Sequence, residues 1–334
     1  MRRTFRLLVV AVSIVAALGL TELALRASAY QYSPLQIGAN VKDDWREEHA
    51  FGDRNLIYDP VLIWRPLSGQ FSPFNPQGFR GAPIDVSKPS GTLRIFALGD
   101  SNTFGWDVDE GVNWPSQLHE LLAASHPPAE VINAGVWGYT SYQGMKRFHE
   151  LTAYAPDIVL VSFGANDAHQ VRVADADYVR RHDRIEYLAR ATRRLRVAQL
   201  MVQGLDLLDT AMAGGSALGP RVSLDDYRSH LRAMIREGRD RSVRVVLLTR
   251  PFVGSSTDPA SWKTYAPQYN AATIAIGAEE QVPVIDVYAA FRDREALFDD
   301  ESHFGVEGHH QAAQLIHEQL GLLLARERRA ASVL

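Results

Sequence analysis

The 334-residue chain contains no cysteine. That excludes a disulfide framework, a thiolate metal site, a cysteine nucleophile and a lipid anchor on cysteine. It leaves the compartment open, because an exported protein need not carry disulfides. Nor does one charge dominate: 35 Lys and Arg stand against 39 Asp and Glu, a formal net charge of -4. Without a basic field, nucleic acid is not an expected partner. The chain shows no internal repeat. His119, His149 and His317 each precede a glutamate, but none has the second histidine of a zinc-binding His-Glu-x-x-His helix. No metal is therefore expected, and no motif implies a cofactor. The Gly-x-Ser-x-Gly elbow of α/β-hydrolases is also missing. What remains is ordinary globular material, 46% hydrophobic and 22% charged, with enough apolar content for a sizeable core.

The first thirty residues indicate the compartment. Met1 to Arg6 is a basic head, and Leu7 to Leu20 carries no charge. Basic head plus apolar run is the pattern of an export signal or a signal-anchor. The 14 residues of that run reach roughly 21 Å at ~1.5 Å each, short of a ~30 Å hydrocarbon core. Continuing to Leu25 gives roughly 28 Å but takes in Thr21 and Glu22. Glu22 would then sit near the outer interface. Ala27-Ser28-Ala29 fits the small-x-small cleavage pattern. The expectation is that residues 1–30 form a single membrane anchor. The alternative is cleavage near Ala29 and a secreted or periplasmic product. Either outcome puts the remainder outside the cytoplasm, with the N-terminal arginines inside.

Residues 31–92 are rich in Pro, Gly, Asn and aromatics and read as an irregular lead-in, with Leu56 to Trp64 its best strand candidate. From Leu93 the pattern changes. Short apolar runs end at Gly99, Ala134, Phe163, Leu248 and Val287, as buried parallel strands should. Between them Trp114 to Ala124, Tyr142 to Tyr154, Leu224 to Glu237 and Gly308 to Arg326 have helical spacing. This alternation predicts an α/β layer fold with a parallel sheet of about five strands over residues 93–334. Active groups in such a sheet gather at the carboxyl ends of its strands.

One stretch, Val171 to Val222, is too long for a simple connection. Its arginines (Arg180, Arg181, Arg184, Arg190, Arg193, Arg194, Arg196) precede an apolar part ending in Ala213-Gly214-Gly215-Ser216. It reads as a helical insert. The arginines fit a solvated helix face, or contact with membrane phosphates or an acidic glycan.

Gly99-Asp100-Ser101 sits directly after the first strand of the sheet. A serine hydroxyl is a poor nucleophile until a base takes its proton, and that base must be oriented by a third group. Asp300 and His303, on a loop before the last helix, supply both. The oxyanion of an acyl-transfer intermediate needs donors. Ser101 N–H, Gly135 N–H and the Asn166 side chain are the candidates, since Gly135 and Asn166 also follow strands. Asp100 and Asp167 are expected to order their turns. Trp106, Trp137 and Tyr139 either line a pocket or simply pack. At most one of the adjacent His309 and His310 can face the site.

These segments resemble the signature blocks of SGNH/GDSL hydrolases, in that family's order: Gly99-Asp100-Ser101, Gly135, Gly164-Ala165-Asn166-Asp167 and Asp300-x-x-His303. The resemblance spans roughly Leu93 to Arg326. It implies a flavodoxin-like three-layer α/β/α sandwich and ester or related acyl chemistry. Asp59-Pro60 to Pro66, Asn75 to Gly81 and Glu22 to Arg26 further resemble membrane-attached bacterial members. The expected function is an esterase acting on a small-molecule, glycan or lipid ester through an acyl-enzyme on Ser101. An O-acyltransferase of envelope or exopolysaccharide modification would use the same residues. A non-catalytic envelope binding protein is the third possibility.

Overall fold

A computed structural model describes residues 2–30, 55–59, 61–123, 128–171, 173–180, 195–212 and 218–331. At its centre lies a five-stranded, wholly parallel sheet. In chain order its strands follow a hairpin of β1 (Leu56–Asp59) and β2 (Ile63–Pro66). They are β3 (Leu93–Gly99), β4 (Ala129–Asn133), β5 (Ile158–Ser162), β8 (Arg244–Leu248) and β9 (Val284–Ile285). The intervening β6 (Gln170–Val171) and β7 (Gly219–Pro220) pair with each other, antiparallel. The spatial order β4-β3-β5-β8-β9 is the flavodoxin-like 2-1-3-4-5 arrangement. It reverses direction beside β3, and a crevice opens there at the carboxyl ends.

Every central strand is buried on both faces, which explains why each reads as an apolar run. Phe96, Leu98, Val159, Val161, Val245 and Leu247 point into one core. Their neighbours Ile95, Ala97, Ile158, Leu160, Val246 and Leu248 point into the other. On the first side pack α4 (Ser141–Leu151), α6 (Leu224–Asp240) and α7 (Ala266–Glu279). On the second pack α3 (Trp114–Ala123), the short α8 (Val287–Phe291) and α9 (Val306–Ala331). The result is the expected three-layer α/β/α fold. Ala266–Glu279 is a helix that periodicity did not reveal. Its buried residues include Ala266, Asn270, Thr273 and Gly277, small or polar groups that a search for a large apolar stripe passes over.

Residues 55–92 are more than a lead-in. Phe74 and Phe79 are fully buried members of the first core. The Arg80 guanidinium donates to the carbonyls of Phe104 (2.7 Å), Gly105 (2.6 Å) and Val108 (2.6 Å), so this segment braces the loop after Ser101. The insert has a defined stem, because β6 and β7 join its two ends. Within it, α5 (Arg196–Met212) is helical. The arginines from 181 to 194 and the segment 213–216 lie outside the described residues.

At the N-terminus, α1 (Arg2–Ala27) contains one stretch, Thr4–Ala27, long and apolar enough to cross a membrane. Its most apolar 18-residue window has a mean hydropathy of 2.3, and its 24 residues rise about 36 Å at 1.5 Å each. That fits a signal anchor or a signal peptide. Glu22, the acidic residue of this stretch, accepts the Val197 N–H of α5 (2.9 Å) and pairs with Arg26 (2.7 Å).

Candidate active site

Five loops at the carboxyl edge of the sheet converge on one cavity of about 520 Å³. Ser101 comes from the loop after β3, Gly138 from that after β4 and Asn166 from that after β5. His303 and Asp300 come from the loop between α8 and α9. The fifth loop, after β8, contributes Trp262 to the lining and carries the buried Arg250.

Ser101 opens a single helical turn, α2 (Ser101–Phe104), whose N-cap is Asp100. Asp100 Oδ1 accepts the Asn102 N–H at 2.9 Å, which fixes the turn. As the first residue of that turn, Ser101 has an N–H with no intrahelical acceptor. Its Oγ stands 2.8 Å from His303 Nε2. His303 Nδ1 stands 2.7 Å from Asp300 Oδ2. Asp300 Oδ1 accepts the N–H groups of Ser302 (2.6 Å) and His303 (2.8 Å), so the Asp-x-x-His spacing closes as a tight turn. Partial burial alone would raise the Asp300 pKa. The hydrogen bond and charge of His303 and the two N–H groups outweigh it and hold the carboxyl well below the usual range. A permanently ionised carboxylate keeps the Nδ1–H tautomer, leaving Nε2 free to take the serine proton.

Asn166 lines the cavity, and one arm of its amide donates to Tyr139 O at 3.0 Å. An amide nitrogen has two N–H groups, so one remains for a ligand. Gly135 is not brought to the cavity. Its N–H is committed to Asn133 Oδ1 at 2.9 Å, and a Cβ there would lie 2.3 Å from the Phe104 N. Its role is close packing of the β4 loop against the serine turn. The glycine at the cavity wall is Gly138, with φ +75. Among the described residues no acceptor takes its N–H. Sequence reasoning stopped at the first glycine after the strand, although the same loop holds a second.

Two buried arginines that sequence reasoning missed organise these loops. Arg250 is 1% exposed. Its Nε bonds both oxygens of Asp100 (2.9 and 2.8 Å). Its Nη1 donates to Ser302 O (2.8 Å) and its Nη2 to Ser302 Oγ (3.0 Å). One guanidinium thus joins the residue before Ser101 to the residue before His303. Asn270 in turn brackets its backbone, accepting Arg250 N–H (2.7 Å) and donating to Arg250 O (2.9 Å). The position directly after strand β8 was the available signal for it. Arg221, at the foot of the insert, pairs with buried Asp175 (3.0 Å) and donates to Gly138 O (2.9 Å). No local pattern announced it.

Trp106, Trp137, Trp262 and His169 line the cavity. His169 stacks on Trp262 at 5.6 Å. Burial and the charges of Arg221 and Arg250 push its imidazole down to about 3, so it is neutral. Tyr139 instead packs inside, donating to Trp64 O. Asp167 orders its loop by accepting Ser141 N–H (2.9 Å), Ser141 O–H (2.5 Å) and Gly164 N–H (3.1 Å). His309 is fully buried and accepts the Trp114 N–H on Nδ1, while His310 is exposed and bonds Gln117. No group of three or more His, Asp or Glu able to hold a metal occurs among the described residues.

A parallel α/β/α sheet with a Ser–His–Asp relay at its carboxyl edge defines a serine-hydrolase type of site. The chain belongs to the GDSL-like lipase/acylhydrolase family, whose model matches residues 97–311. An arylesterase of Vibrio mimicus is 35% identical over 75 residues, which are 22% of this chain. The match spans 38% of that curated relative's length. Among solved structures, a lipase/acylhydrolase from Enterococcus faecalis is similar, at 25% identity and a TM-score of 0.47, over 68% of this chain and 95% of that one. An acetylxylan esterase from Geobacillus stearothermophilus is similar at 22% identity and a TM-score of 0.47, over 69% and 94%.

Proposed function

We propose that this protein is an esterase that cleaves a carboxylic ester through an acyl-enzyme on Ser101. The observation that carries the reading is the unbroken relay from Ser101 Oγ through His303 to Asp300 at the wall of an open cavity. His303 Nε2 takes the hydroxyl proton as Ser101 Oγ attacks the carbonyl carbon. The oxyanion accepts from the Ser101 N–H, the Gly138 N–H and the free arm of Asn166. His303 then gives its proton to the leaving alkoxide, and water activated by the same imidazole releases the acid. Family membership supports acyl chemistry. The substrate class is a small-molecule, glycan or lipid ester.

The same reading makes α1 a retained anchor with the catalytic domain outside the cytoplasm. Its support is the hydrogen bond from the Val197 N–H of α5 to Glu22 of α1, which cleavage near Ala29 would discard.

The test is labelling of the full chain with a fluorophosphonate, beside hydrolysis of nitrophenyl esters of graded chain length. Labelling and turnover that both vanish in Ser101→Ala support the esterase. Labelling with negligible hydrolysis replaces it by acyl transfer, and folded protein that never labels replaces it by a binding role.

A further inference from the structure

We propose that α5 lies in the bilayer interface beside the anchor, with its apolar stripe against lipid. The inference rests on α1 spanning the membrane. Met201, Leu205 and Leu208 are 58%, 51% and 61% exposed. Their i, i+4, i+7 spacing places them within about 60° of one another around a helix. A soluble domain rarely leaves such a stripe to water.

Three observations choose lipid as its cover. Glu22 Oε2 takes the Val197 N–H, so the start of α5 is pinned to the last turns of α1. Glu22 lies five residues before the end of the Thr4–Ala27 stretch, about 7.5 Å along the axis. That is the depth at which interfacial helices ride, roughly 5–10 Å into the headgroup and acyl boundary. The third observation orients the helix. The Tyr30 hydroxyl donates to Gln203 Oε1 at 2.5 Å. Tyr30 is eight residues further from the membrane than Glu22, so Gln203 marks the membrane-distal side of α5. Gln203 falls two positions from both Met201 and Leu205, about 200° around the helix. The stripe therefore faces the bilayer. Arg196 is the helix's one basic residue, beside two aspartates, so the attachment is apolar and insensitive to salt.

The absence of cysteine makes the test direct. Full-length single-cysteine variants Met201→Cys, Leu205→Cys and Leu208→Cys, carrying an environment-sensitive fluorophore, are reconstituted in phosphatidylcholine vesicles containing doxyl-labelled lipids. Val12→Cys in α1 and Ile274→Cys on the exposed face of α7 serve as references. The expected result is blue-shifted emission at all three α5 positions, quenched more by shallow than by deep doxyl groups and unchanged in high salt. Val12 is quenched most by deep groups, and Ile274 not at all. Quenching at Val12 without quenching on α5 overturns this inference and leaves the anchor standing. No quenching at any position, Val12 included, overturns both. Blue-shifted probes that lipid does not quench mean a protein cover, such as a second copy, and overturn it equally.

Discussion

Replacing Arg250 with methionine removes the one guanidinium that joins the Asp100 carboxylate to the Ser302 carbonyl and hydroxyl. Asp100 has no exposed surface, and afterwards its carboxylate keeps the Asn102 N–H as its remaining partner in the turn. Breaking a buried pair from one side costs about 3–5 kcal/mol, most of it the stranded charge. That is a large part of a typical total stability of roughly 5–15 kcal/mol. Asp100→Asn strands the arginine and should cost a similar amount. The double variant has no stranded charge, so its loss should fall short of the sum by about 2–3 kcal/mol. Urea unfolding of the four proteins measures this. Activity should follow a different rule. The guanidinium sets the spacing between the Ser101 turn and the His303 loop, and a misplacement of about 1 Å can cost 10²-fold in rate. Arg250→Met should therefore lower kcat by about that factor with KM for a short ester little changed, and the double variant should not restore it. Strictly additive stabilities, or a wild-type kcat in folded Arg250→Met, would refute the reasoning.

Three further outcomes follow from the same geometry. Asn166→Ala should lower kcat by about 10²- to 10³-fold with little loss of stability, since a half-exposed amide is removed from an oxyanion site; steady-state kinetics beside thermal unfolding checks it. Asp300→Asn should leave the loop folded but cut kcat by up to about 10⁴-fold, because the tautomer of His303 is no longer enforced. Burial, reinforced by the charges of Arg80, His303 and Arg250, pushes the His309 imidazole down to about 3, below its unfolded value of about 6.5. Its contribution to stability is thus present above about pH 6.5 and lost as the pH falls toward 3, at no more than about 1.4 kcal/mol per pH unit. Urea midpoints between pH 7 and 4 should fall less steeply in His309→Gln, and identical slopes would contradict the assignment.

The fold was readable because each central strand is buried on both faces and so appears as an apolar run bounded by glycine or a polar turn. The relay was readable because its spacing is local: Ser101 follows a strand at once, and Asp300 needs three residues to turn back to His303. The donors were harder. Gly135 and Gly138 share one loop, and which N–H is free depends on Asn133 Oδ1, a partner no spacing reveals. Arg250 and Arg221 act across 150 and 46 residues of chain on Asp100 and Asp175. Long-range pairs of this kind leave no periodic trace. Residues 55–92 looked irregular because Phe79 packs from a segment outside any helix or strand and Arg80 from isolated β-bridges, where neither helical nor strand periodicity applies.

The central claim is that His303 activates Ser101. The most direct test is the rate of fluorophosphonate labelling of the full chain, with the modified residue located by mass spectrometry, in wild type, Ser101→Ala and His303→Ala. The account predicts labelling at Ser101 alone in wild type, none in Ser101→Ala, and a rate reduced by orders of magnitude in folded His303→Ala. Labelling at another residue, or an unchanged rate without His303, would contradict it.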